Sequence, residues 1–108
     1  MVGSKFYYIY SVLMHGFRRE GKLSEAYDFV KEMIGKAFLP PPAEINPLIQ
    51  SFCREGKSKD AKKLMEECLN KGCIVNVINF TTVIHGFCQK EDFHSAFSVL
   101  DEAIIGFV

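Results

Sequence analysis

The sequence predicts an all-α chain: an α-solenoid of stacked antiparallel helix hairpins, with about three repeats and six helices. Two observations carry that prediction. Residues recur at a step of 35, as Phe17, Phe52 and Phe87, as Ala26, Ala61 and Ala96, and as Glu32, Glu67 and Glu102. Within each period the apolar residues fall at helical spacing. A repeat of this length is the signature of units that bury their apolar faces only against one another.

The elements follow in order. Tyr10, Leu13, Met14 and Phe17 stand at i, i+3, i+4 and i+7, and Ile45, Leu48, Ile49, Phe52 and then Phe80, Val83, Ile84, Phe87 repeat the pattern. These are the first helices of three hairpins. Gly21 and Gly56 suit helix C-termini, and second helices follow through Leu23, Ala26, Tyr27, Val30, Met33 and Ile34. Ala61, Leu64, Met65, Cys68 and Leu69 form the second of them, and Phe93, Ala96, Phe97, Leu100, Ala103 and Ile104 the third. The recurring alanine lets the two helix axes of a hairpin approach closely. Residues 37–42 and 72–76 read as connectors, the first ended firmly by the stiff run Pro40, Pro41, Pro42. Pro47 is tolerable only in a first helical turn, which predicts that its helix begins near residues 45 to 47. Asp92 is placed to cap the last helix.

With 108 residues, 48% hydrophobic and 24% charged, the composition is that of a globular chain, short for an independent enzyme. No apolar run approaches the roughly 18 to 20 residues that span a bilayer, so no membrane partner is expected. Thirteen basic residues balance thirteen acidic ones, so a polyanion would have to be met by local charge. Cys53 and Cys88 share a repeat column, and neither they nor Cys68 and Cys73 have C-x-x-C spacing; they read as small buried thiols of a reducing compartment. His15, His85 and His94 lack carboxylate or thiol neighbours at ligand spacing, and no nucleophile elbow or phosphate loop is present, so neither metal nor cofactor nor catalytic residue is expected. Residues 1–6 read as an N-terminal extension and the third unit as truncated, with apolar Ile104, Ile105, Phe107 and Val108 uncovered. A fragment of a longer array is expected, or self-association through uncapped ends.

Period and pattern together resemble a known family. The string YSVLMHGFRREGKLSEAYDFVKEMIGKA, residues 10–37, is similar to the pentatricopeptide repeat, whose typical unit carries G-x-C-K-x-G, an E-A pair and E-M at matching places. The resemblance spans residues 7–108, in units 7–41, 42–76 and a shortened 77–108. The tetratricopeptide repeat has period 34 and a tryptophan, and this chain has no tryptophan. The unvarying step resembles the plain class of the family rather than the editing class.

The resemblance implies sequence-specific binding of single-stranded RNA, one base per unit, in mitochondrial or plastid RNA processing, stability or translation. The family reads bases with the fifth and last residues of each unit. Here these are Ser11 with Pro41, Asn46 with Asn76, and Thr81, whose unit ends before its partner. The implied order is 5′-purine, pyrimidine, purine-3′. The second residue of each unit packs on base faces, which gives Tyr8, Ala43 and Ile78, and Arg19 and Arg54 fall where relatives contact phosphate. Pro41 departs from the pattern because its side chain neither donates nor accepts a hydrogen bond. Read without the family, Asn46 and Asn76 equally suit helix capping, and Arg19 and Arg54 a solvated helix end. The alternative function is a helical scaffold holding a protein or peptide in its concave groove, for which small polar fifth residues are a poor lining.

Overall fold

The computed structural model describes the backbone of residues 2–107 and the side chains of residues 6–106. Six helices follow one another: α1 (Val2–Arg19), α2 (Leu23–Gly35), α3 (Pro42–Arg54), α4 (Ser58–Asn70), α5 (Val77–Gln89) and α6 (Phe93–Phe107). They pair as three hairpins. The odd-numbered helices also pack on one another, α1 on α3 and α3 on α5, while α2 and α4 each reach the next odd helix. The result is the stack of hairpins that the 35-residue step predicts.

The repeat columns do the packing. Ala26, Ala61 and Ala96 are all buried where the two helices of each hairpin meet, and Phe52 and Phe87 are buried with Leu48, Ile49 and Val83 between units. Phe17 departs from its column and is only partly buried, its ring tilted against Phe29 with centroids 6.0 Å apart. Leu13 of α1 is exposed. Phe93, Phe97, Leu100 and Ile104 are exposed because no element of the described chain lies over that side of α6.

Every first helix ends by the same device. Gly21, Gly56 and Glu91 take the left-handed conformation with φ of 71°, 73° and 58°. The N–H groups of Lys22, Lys57 and Asp92 then donate to the carbonyls of Phe17, Phe52 and Phe87 at 2.8, 2.8 and 2.9 Å. This is a Schellman ending, and it ties each turn to the column phenylalanine. Asp92 then caps α6, accepting from the Ser95 N–H at 3.2 Å and the Ser95 hydroxyl at 2.8 Å. These two bonds hold its carboxyl below the usual carboxylate range.

Two boundaries differ from expectation. Helix α1 already runs from Val2, so it takes in residues read from sequence as an extension. Helix α3 begins at Pro42, not near 45 to 47, which places Pro47 in its second turn. Pro42 suits the first helical position because its missing N–H needs no partner there, and the extended Pro41 offers its carbonyl to the N–H groups of Glu44 at 2.9 Å and Ile45 at 3.2 Å. Pro47 costs the helix one backbone bond. Ile45, Leu48 and Ile49, all buried, hold the helix through that gap.

Gly86 marks the closest approach between units. A Cβ there would lie 2.6 Å from Cys53 Sγ, 2.9 Å from Ser58 Oγ and 3.0 Å from Cys53 Cβ, whereas at Gly16, in the same column, nothing lies within 4 Å. The two sites therefore respond oppositely to one methyl. Gly16→Ala is expected to stabilise by up to about 1 kcal/mol through helix propensity, and Gly86→Ala to destabilise by about 1 kcal/mol once overpacking offsets that gain; urea unfolding of the two variants checks the contrast. Glu91→Gly relieves a left-handed side chain and is expected to raise stability by up to about 1 kcal/mol, read in the same experiment.

Candidate nucleic-acid interface

The residues singled out from the sequence lie on the odd-numbered helices or just before them. Tyr8 in α1 and Ile78 in α5 are 74% and 62% exposed, and Ala43 in α3 is also exposed, so the second residue of every unit stands clear of the core. Tyr8 offers a ring and Ile78 a branched apolar edge to a flat ligand, while Ala43 offers a methyl. Three turns of one face are thus available for stacking.

The fifth residues stand beside them and are held by hydrogen bonds. Ser11 Oγ donates to Glu44 Oε2 at 2.7 Å, from unit one to unit two. Asn46 Oδ1 accepts from Asn79 Nδ2 at 3.1 Å, from unit three to unit two. Thr81 Oγ1 donates to the Val77 carbonyl at 2.7 Å within its own helix. In the first two cases the partner is the third residue of the next unit, 33 positions on.

Asn79 is completely buried and fully engaged. Its Nδ2 also reaches the Pro42 carbonyl at 3.3 Å, its Oδ1 accepts from the Asn76 N–H at 3.0 Å, and its own N–H donates to Asn76 Oδ1 at 3.1 Å. The last two bonds form a reciprocal capping box at the start of α5. Asn76 therefore spends its oxygen as a helix cap, the role that Asn has at helix starts without any ligand, and keeps Nδ2 for other use. Pro41 is likewise structural in its contacts, serving as the backbone cap of α3.

Arg54, Ile78 and Thr81 come together. They line a cleft of about 580 Å³ between α3 and α5, with Gln50, His85 and Gln89. Arg54 Nη2 donates to Ser51 Oγ at 3.3 Å, which positions the guanidinium along the cleft wall. Tyr8, Ser11 and Arg19 lie outside this cleft, and Arg19 meets Glu20 at 3.4 Å in a pair so exposed that it adds little. Gln89 occupies in unit three the place of Arg54, so the positive charge of this wall comes from one unit.

Burial quiets three of the thiols. All four cysteines are unpaired, and burial raises Cys53, Cys68 and Cys73 above the ordinary thiol range, so they stay protonated. No group of three metal-binding side chains occurs among the described residues, and no described helix is long and apolar enough to cross a membrane.

Glu44 and Asn79 escaped the sequence reading. They are 35 apart and polar, so the repeat register carried a signal; what it lacked was the inter-unit geometry that brings the third residue of one unit to the fifth of the unit before.

Comparison with known proteins agrees with the stacked-hairpin fold. The PPR repeat profile matches residues 8–38 and 78–104, more than half of the chain, and the PPR repeat family profile matches residues 45–88. The chain belongs to the pentatricopeptide repeat family. No curated protein sequence matches it. Its fold is similar to the crystal structure of the pentatricopeptide repeat protein PPR10 from maize, with a TM-score of 0.66 and 22% identity over 86% of this chain and 13% of that one. The pentatricopeptide repeat chain described here thus spans a small part of the length of that protein. Proteins of this family generally bind RNA, are typically not enzymes and are commonly organellar.

The buried network gives a first test. Asn79→Ala removes the capping box and leaves the Asn46 and Pro42 oxygens short of a donor, and is expected to cost about 2 kcal/mol in urea unfolding. Glu44→Ala, at a half-exposed site, is expected to cost less than about 1 kcal/mol.

Proposed function

We propose that this chain binds single-stranded RNA along the face of α1, α3 and α5, one base per unit, as a segment that acts in organellar RNA processing, stability or translation. The observation that carries the reading is the α3–α5 cleft. It gathers a cation for phosphate in Arg54, an exposed apolar edge for a base face in Ile78 and a hydroxyl for a base edge in Thr81. Ser11 with Pro41, Asn46 with Asn76, and Thr81 act as readers. Tyr8, Ala43 and Ile78 pack on base faces, and Arg19 and Arg54 meet phosphates. The uncovered apolar side of α6 takes a further unit or a second copy of the chain, and a mitochondrial or plastid location accompanies the function.

Energetics bound the affinity. Stacking is worth about 1 to 3 kcal/mol per base, so three units gather roughly 3 to 9 against an association cost of about 4 to 15. Dissociation constants of roughly micromolar to millimolar are expected, falling in affinity with added salt. Titration with single-stranded oligoribonucleotides at stated salt checks this, and nanomolar binding would contradict it. Asn46→Thr is expected to move the preference at one base from pyrimidine towards purine; an unchanged preference would defeat the reading of bases by fifth residues.

A further inference from the structure

The fifth residues do not choose their own hydrogen-bond polarity. Around Asn46 the chain of constraints can be followed atom by atom. The Asn76 N–H can only donate, so the Asn79 atom it meets at 3.0 Å is Oδ1. The Pro42 carbonyl can only accept, so the Asn79 atom beside it at 3.3 Å is Nδ2. The same Nδ2 faces Asn46 at 3.1 Å, which requires Asn46 to turn its oxygen inward. The Asn46 Nδ2 is left without a partner among the described residues, carrying donors only. Two backbone groups thus fix an amide orientation two side chains away.

Ser11 is set the opposite way. Its hydroxyl proton is held by Glu44 Oε2 at 2.7 Å, which leaves only lone pairs on Oγ. Thr81 reaches the same state through the Val77 carbonyl of its own helix.

We infer that Asn79 and Glu44, the third residues of units three and two, are positioning residues that set which hydrogen-bonding edge the preceding unit offers to RNA: donors from Asn46, acceptors from Ser11. This rests on the RNA-binding reading above. Asn46 then selects a base that presents acceptors in that place, such as the O2 carbonyl common to cytosine and uracil. Ser11 selects one that presents an amino or imino N–H. Specificity of one unit is in part written in the next.

Substitutions that reverse polarity test the inference. In Asn79→Asp one carboxylate oxygen still accepts from the Asn76 N–H, and the other now accepts from Asn46 Nδ2, so the Asn46 amide turns over. In Glu44→Lys the side chain carries donors and no acceptor, so the Ser11 hydroxyl loses the group that held its proton. The full chain and both variants are titrated, by NMR shift changes, with single-stranded oligoribonucleotides varied at three consecutive bases, and circular dichroism melting monitors folding. Each variant is expected to change the ratio of affinities for acceptor-presenting and donor-presenting bases at one position by about three- to tenfold, with the other positions unmoved. A folded variant that weakens binding to all sequences equally, or keeps the original ranking, overturns the inference. Should Asn79→Asp fail to fold because it buries a charge, the half-exposed Glu44→Lys decides alone. If the parent chain binds no RNA, the RNA-binding reading itself fails, an outcome distinct from binding with an unmoved ranking.

Discussion

A two-helix unit is too thin to bury its own apolar face, and that shortage governs this chain. Leu48, Ile49 and Phe52 in α3 share one buried core with Val83 and Phe87 of α5, because α3 packs on the helices of the neighbouring units as well as on its hairpin partner α4. Gly86 records how close that approach is, since even a methyl there would collide with Cys53. The hairpin crossing at each column alanine sets the depth of a unit, and the left-handed residue after each first helix sets where the chain turns back. Stability is therefore shared between neighbours.

The same dependence explains why a polar residue can be wholly buried at Asn79. It sits in unit three where three groups of unit two need partners: the Asn76 N–H at the start of α5, the Pro42 carbonyl and the Asn46 amide. Burying an amide is unfavourable unless its donors and acceptors are met, and here they are met across the joint. Structure and recognition meet at that joint. A side chain that caps a helix and bridges two units also turns the Asn46 oxygen inward, which under the proposed function sets the atoms that Asn46 offers to RNA.

Much of the fold was legible because it repeats. Phe52 and Phe87, and the three alanines, could be placed in the core from spacing alone, since identical environments select identical residues in each unit. Asp92 could be read as a cap because capping is local chemistry within four residues. The start of α3 was misjudged for a reason that is physical: Pro47 argues locally for a helix beginning near it, but burial of Ile45, Leu48 and Ile49 outweighs one lost backbone bond. Phe17 kept the register of its column without its full burial, because a column predicts an environment only where the neighbouring unit supplies it.

The candidate site residues Tyr8, Ser11, Asn46, Ile78 and Thr81 came from the family resemblance laid on that register, and all five stand exposed or half-exposed on the odd-numbered helices. Register also fixed the all-α solenoid, because helical spacing and a constant step are properties of the chain itself. Only the tertiary structure decided how those side chains are presented. It gave Asn76 to a capping box, gathered Arg54, Ile78 and Thr81 into one cleft, and joined Ser11 to Glu44 and Asn46 to Asn79. These contacts link residues 33 apart on different helices, and the distance between them is set by how the units pack rather than by any local preference of the residues concerned.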